Sequence, residues 1–379
     1  MKQIHALLPR FFSRVGHIFH YHIAVEKAVK LMGWTYTAYI PKKTNLPNLP
    51  PNWLNMLAND ISEKPKGFYL KLKVLIENMR PFWSILKKIE NQEDAIMFIE
   101  HFELQHLASL SIVLFFLSPR FHFWILYRYE LENRQIKSGL YRFFLWYMRK
   151  KLGNNKVKCF TDSELLAKSL EKDLHCFIQV VPIPHTEGAK KHKADKKEKK
   201  VIERIQFWWP GGLIREDKGL SKILKLFHLL RVREDIRLVV AENSREIFAS
   251  FPNADFIPSD LSREEYVIQM KKSDLILLPY SGKDYSQRTS GIFVEAITLG
   301  AIPVTTKGTW MAYELQRFDL AELIFTWEEP KILDQLCNLL INQEVKNKLE
   351  KMQLAYEKFH SLEGFAFVLQ NLYTEPCSV

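Results

Sequence analysis

The stretch from Leu275 to Trp310, LILLPYSGKDYSQRTSGIFVEAITLGAIPVTTKGTW, decides the fold. Its first four residues, Leu275–Leu278, form a short apolar run closed by Pro279, as a buried strand does. A polar loop follows over residues 280–287, in which Gly282 and Asp284 favour turns. The hydroxyls of Thr289 and Ser290 suit the cap of a new helix, expected over residues 291–299. Gly300 supplies the left-handed residue that commonly ends a helix, and a second strand is expected over 302–305. Strand, polar loop, capped helix, glycine and strand make one βαβ unit. In open α/β sheets ligands sit beyond the carboxyl ends of the strands, on loops of this kind.

Three features give the unit a chemistry. The helix start, Thr289-Ser290-Gly291-Ile292, presents backbone N–H groups and a partial positive charge, which suit a phosphate or diphosphate. Arg288 stands just before it. Glu295 lies five residues past the cap, about 7 Å along the axis, a diphosphate-to-ribose separation. A carboxylate there can accept hydrogen bonds from two adjacent hydroxyls. The plainer alternative is a solvated helix carboxylate, although Phe293, Val294, Ala296 and Ile297 around it are apolar.

The run Gly291-Ile-Phe-Val-Glu295-Ala-x-x-x-Gly300-Ala-x-Pro303-Val resembles the donor-site signature of GT-B glycosyltransferases, especially the family-4-like group. The resemblance implies that Glu295 holds the ribose of a nucleotide sugar. That family often carries another Glu eight positions earlier, in contact with the donor sugar; Gln287 stands there instead.

A second loop, Pro210-Gly-Gly-Leu-Ile-Arg215-Glu-Asp-Lys218-Gly219, precedes the Glu295 helix by about 75 residues. Glycines let a backbone approach a phosphate, and two cations of different reach can neutralise a diphosphate. Basic residues on an exposed turn are the alternative. The loop also resembles the family's Gly-x-x-Arg-x-x-Lys-Gly phosphate element, with Gly212, Arg215 and Lys218 in its places. Gly16-His17, after the first expected strand, is similar to the Gly-His pair that approaches the phosphates and acceptor in many members. His17, His20 and His22 are better read as ordinary helix histidines than as metal ligands, because no carboxylate joins them at ligand spacing.

The rest of the chain alternates strand and helix, the pattern of parallel sheets with helices on both faces. Strands are expected at 4–8, 34–40, 95–100, 123–127, 157–161 and 178–183 in the first half, and at 204–209, 236–240 and 323–327 in the second. Helices are expected at 16–33, 219–231 and 262–272, with a helical tail from 328. Residues 41–51 read as loop, and 64–91 as helix broken at Pro81. The organisation expected is a Rossmann-like acceptor domain (1–184), a Lys-rich linker or flexible loop (185–200), a donor domain (201–355) and a helical tail (356–379) that crosses back to the first domain.

Of the 379 residues 47% are hydrophobic and 26% charged, as in a globular soluble protein. The four cysteines have no C-x-x-C spacing, and the longest apolar stretch is broken by Pro119, Arg120 and His122. A formal charge of +11 calls for a partner. From Arg120 to Lys158 ten Lys or Arg stand against Glu130 and Glu132, interleaved with Phe143, Phe144, Trp146 and Tyr147. Such a surface suits an anionic membrane, and 190–200 adds seven lysines.

Together these readings give an α/β protein of two Rossmann-like parallel-sheet domains facing a cleft, with the donor diphosphate on Arg215, Lys218 and the Ser290 helix start. The resemblance implies transfer with retention, no metal and no separate cofactor, the nucleotide sugar being a substrate. The acceptor is then a glycan, a lipid-linked compound or a small molecule, at a cytoplasmic or peripheral membrane location. A degenerate binding subunit, a sugar-nucleotide epimerase and a nucleic-acid-binding protein are the alternatives; no nucleic-acid partner is expected on the main reading.

Overall fold

The computed structural model describes residues 1–11, 17–44, 46–59, 67–131, 134–184, 204–210 and 215–374. It divides into two compact units, Met1–His185 with Leu362–Val379, and Thr186–Ser361.

In the first unit β1 (Gln3–Leu7), β2 (Thr35–Pro41), β3 (Trp53–Leu57), β4 (Ala95–Glu100), β5 (His122–Tyr127), β6 (Val157–Thr161) and β7 (Gln179–Val180) form one sheet. Its order is β3-β2-β1-β4-β5-β6-β7, and every pairing is parallel. Alternate residues of each strand feed opposite faces. Leu7, Met97, Ile99, Phe123 and Ile125 enter one apolar cluster. Ile4, Ala6, Ile96, Phe98, Trp124 and Leu126 enter the other. The helices Phe68–Ile89, Leu104–Phe115, Arg134–Leu152 and Glu164–Leu174 supply the first cluster. Helices His17–Leu31 and Leu362–Thr374 supply the second, where the Tyr21 and Phe365 rings are 6.0 Å apart.

Two expectations for this unit need correction. Pro81 does not break its helix, which runs Phe68–Ile89. A mid-helix proline costs about 3 kcal/mol. Here the buried stripe Val74, Asn78, Phe82, Ile85 and Ile89 continues through the proline, and that packing outweighs the lost hydrogen bond. The strand expected at 178–183 shrinks to the two residues of β7. β3 lies in a segment to which the sequence reading assigned no element.

The second unit holds β8 (Ile205–Trp208), β9 (Ile236–Ala241), β10 (Ala254–Ile257), β11 (Leu275–Leu278), β12 (Pro303–Thr306) and β13 (Ile324–Phe325). The order is β10-β9-β8-β11-β12-β13, again all parallel. β10 was not anticipated: Ala-Asp-Phe-Ile is short, and all four of its residues are only partly buried. Gly300 has φ of 72°, as the end of its helix requires. Among the described residues no helix is long and apolar enough to cross a membrane.

Candidate functional site

The strand order of the second sheet reverses between β8 and β11, whose residues pair directly, Leu275 with Phe207 and Ile276 with Trp208. The loops leaving these two strands therefore flank a topological switch point, where open α/β sheets bind ligands. One loop carries Arg215 and Lys218, and the other carries Gln287, Arg288, Thr289 and Ser290.

The two loops are joined backbone to backbone. The Ser281 N–H donates to the Asp217 carbonyl at 2.9 Å. Gly219, with φ of 86°, lies so close to Pro279 that a Cβ on it would stand 2.1 Å from the proline carbonyl oxygen. Only glycine satisfies both the dihedral and the approach.

The side chains complete a cationic cluster. Arg215 donates from Nη2 to Asp217 Oδ2 at 2.7 Å, and the same nitrogen lies 3.5 Å from the Tyr285 hydroxyl. The Arg288 guanidinium stands 4.9 Å from the centre of the Tyr285 ring. Lys218 shares this environment. Burial first, then Arg215 and Arg288, push its ammonium down to about 8, while Asp217 acts in the opposite direction. Two guanidiniums and a partly buried ammonium close enough to perturb one another, with one adjacent carboxylate, are an arrangement that can hold an anion.

The neighbouring helix, Gly291–Thr298, points its start at the same loop. Ser290 caps it: its hydroxyl accepts from Phe293 N–H at 3.3 Å and its carbonyl from Val294 N–H at 3.2 Å. Gly291 and Ile292 open the first turn, where N–H groups have no acceptor within the helix. Of the two hydroxyl residues offered by the sequence, Ser290 makes the cap. Gln287 and Thr289 are partly buried in the approach to it.

Glu295 is buried, with 5% of its surface exposed. Its Oε1 accepts from Arg263 Nη1 at 2.6 Å. Arg263 begins the helix Arg263–Lys272, which Ser262 caps in a reciprocal box with Glu265. Tyr266, one turn on, has its hydroxyl kept protonated by burial and by Glu295. Its ring lies 5.3 Å from that of Trp208 on β8. The solvated-carboxylate alternative for Glu295 is thereby removed. Sequence reasoning missed Arg263, Tyr266 and Tyr285; the capping box Ser262-x-x-Glu265 marked where Arg263 sits on its helix, but not what it touches.

Gly16 and Gly212 lie outside the described residues, and so does the side chain of His17, although His17 begins a described helix. Their roles remain expectations from the sequence. His20 is exposed, whereas His22 is buried, 2.7 Å from the Tyr36 hydroxyl and 2.7 Å from Glu100.

Glu100 belongs to a second constellation, at the carboxyl ends of β4, β5 and β6 in the first unit. Arg128 donates from Nε to Glu100 Oε1 at 2.8 Å and from Nη1 to Asp162. All three side chains are buried. Burial pushes the Glu100 carboxyl up, but Arg128, His22 and His101 outweigh it and hold the group well below the usual carboxylate range. At this sheet's own switch point, between β1 and β4, Arg10 reaches Glu103 at 2.7 Å. Glu103 also shares a capping box with His106 at the start of Leu104–Phe115. Among the described residues no three His, Cys, Asp or Glu side chains converge as metal ligands do.

No protein-family model and no curated protein matches the sequence. Solved structures do match. The N-terminal domain of Candida albicans trehalose-6-phosphate phosphatase aligns with a TM-score of 0.68 and 12% identity, over 98% of this chain and 96% of that one. An E. coli trehalose-6-phosphate protein bound with UDP-2-fluoro glucose aligns at 0.65 and 12% identity, over 100% of both chains. Anabaena HepE in complex with UDP-glucose aligns at 0.65 and 10% identity, over 98% and 99%. At such identities the likeness is one of fold. The chain is a two-domain α/β protein with the GT-B architecture.

Proposed function

We propose that the chain is a glycosyltransferase that moves a sugar from a nucleoside-diphosphate donor to a glycan, lipid-linked or small-molecule acceptor. The observation that carries this reading is the grouping of Arg215, Lys218 and Arg288, two of them against Tyr285, on the loops of which one leads into the Ser290 cap. A leaving diphosphate gains negative charge as the glycosidic bond breaks, and preorganised donors aimed at it lower that barrier. In this reading Glu295, held by Arg263, takes the ribose hydroxyls, and Gln287 meets the donor sugar. The nucleotide sugars bound in two of the similar structures support the donor class. Retention and freedom from metal follow the resemblance around Glu295. The first unit takes the acceptor.

A peripheral position on the inner face of a membrane is part of the proposal. The helix Arg134–Leu152 supports it with Arg149, Lys150 and Lys151 in its last turn and with Phe143 and Trp146 more than half exposed.

Calorimetric titration with nucleoside diphosphates and the matching nucleosides tests the donor reading. Saturable binding of a diphosphate, with the nucleoside far weaker, is the expected result; equal affinity for both removes it. Gln287, in place of the family's carboxylate, favours one second reading, a subunit that binds the donor without turnover. Release of nucleoside diphosphate in the presence of acceptor separates the two.

A further inference from the structure

The first unit contains a cavity of about 480 Å³ on its outer helical layer, remote in sequence from every residue assigned to the donor site. Its walls come from the helix Arg134–Leu152 and from the end of the helix Glu164–Leu174. Arg142, Arg149, Lys150 and His175 line it together with Trp146 and Leu174, and none of its lining residues is acidic.

The arrangement is selective in three ways. First, the basic side chains are gathered, not dispersed: Arg142, Arg149, Lys150 and His175 line one cavity, and Arg142 Nη1 lies 3.2 Å from His175 Nε2. His175 reaches this position through a left-handed backbone, φ of 52°, at the end of its helix. Second, the rim is aromatic. Trp146 is 55% exposed, lies 6.0 Å from the Phe143 ring and has Lys150 Nζ at 5.3 Å. Leu140 and Phe143, 47% and 53% exposed, extend the same apolar surface along the helix. Third, the pit is cationic and its rim amphipathic, which is the order of chemistry across the headgroup zone of a bilayer.

We infer that this cavity is a binding site for the phosphate headgroup of an anionic phospholipid, with Arg142, Arg149 and Lys150 on the phosphate and Trp146 and Phe143 at the acyl boundary. The inference deepens the membrane part of the proposal above and is independent of the donor site. A diffuse basic surface needs only net charge, whereas this cavity takes one headgroup at a time.

The test uses the full chain, without nucleotide, in two measurements. Co-sedimentation is done with phosphatidylcholine vesicles with and without phosphatidylglycerol, and tryptophan fluorescence is titrated with glycerol phosphate. The variants are Arg142→Gln/Lys150→Gln, Trp146→Ala and the charge-matched control Lys346→Gln/Lys351→Gln. All these positions are exposed, so the fold tolerates the changes. The first pair is expected to weaken phosphatidylglycerol binding about thirtyfold, each cation acting on the scale typical of a membrane surface. Trp146→Ala is expected to weaken it as well, the control pair to leave it unchanged, and glycerol phosphate to compete. Vesicle binding that falls equally in the control pair overturns the cavity and leaves the diffuse surface standing. Glycerol phosphate binding without vesicle binding assigns the cavity to a free phosphate ester and overturns the lipid. If neither binds, the cavity and the membrane position both fall.

Discussion

Arg263 holds Glu295: its Nη1 lies 2.6 Å from Oε1 of a carboxylate that is 5% exposed. The pair joins the start of one helix to the middle of another and orients the carboxylate that we propose meets ribose. Arg263→Met is expected to lower stability by about 1.5–3 kcal/mol, the scale of a charged hydrogen bond. The lower end applies because the guanidinium is about one-third exposed. Glu295→Gln is expected to weaken ribonucleotide binding more than 2′-deoxyribonucleotide binding. Urea unfolding checks the first expectation, and paired titrations check the second. Equal losses for the two sugars would sink the ribose assignment.

Lys218 gives a pH signature. Its folded value of about 8 lies below the 10.5 of a free lysine, so the folded state holds fewer protons between these limits. Stability contributed by this group therefore rises with pH through that window. A bound diphosphate acts oppositely, because it favours the ammonium. Affinity for nucleoside diphosphate is expected to fall above pH 8, with proton uptake on binding at that pH, and Lys218→Met is expected to abolish both effects. Lys218→Met is also expected to cost about 1.5–3 kcal/mol of diphosphate binding and little nucleoside binding. Calorimetry in buffers of different ionisation enthalpy measures the uptake.

Gly219→Ala tests the junction of the two loops. A left-handed backbone costs an ordinary residue about 1–2 kcal/mol before the clash with Pro279 is added. Both stability and diphosphate affinity are expected to drop, since the 3₁₀ turn Glu216–Lys218 ends at this residue. A variant with wild-type affinity would show that the turn does not position Lys218.

Gln287→Ala is expected to depress turnover with little change in product nucleotide binding, because in the proposed reading the amide meets the donor sugar and not the diphosphate. If Gln287→Ala and Gln287→Glu both keep full turnover, Asp284 becomes the better candidate.

What was legible in the sequence was local. The Glu295 helix, its serine cap and Gly300 are set by residues within one or two turns of each other, and β4, β6 and β11 appear at their expected bounds. The partners were not legible. Arg263 and Glu295 are 32 positions apart, Arg215 and Tyr285 are 70 apart, and nothing in either neighbourhood names the other. β10 escaped because a half-exposed edge strand needs no apolar alternation. Pro81 misled because propensity was weighed without the buried stripe that overrides it.

The Arg128 cluster is the sharpest case, since it needs three strand ends, and Arg128 lies 28 positions from Glu100 and 34 from Asp162. Arg128→Met would leave two carboxylates buried without their cation, a loss of about 3–5 kcal/mol where such pairs are broken. The direction of its pH dependence distinguishes this from simple loss of packing. In the wild type the Glu100 carboxyl is held well below its ordinary 4.5, so its stabilising contribution is full above that value and is lost as pH falls through the folded one. Without Arg128 only His22 and His101 oppose burial, and the carboxyl is expected to rise above 4.5, so that the folded state takes up protons before the unfolded chain does. The variant's deficit is then expected to shrink as pH falls from neutrality toward 5, while the wild type changes little. Urea unfolding at a series of pH values measures both curves. A deficit that stays constant with pH would mean that Arg128 acts through its packing on Tyr21, whose ring centre lies 4.1 Å from the guanidinium carbon, and not through charge.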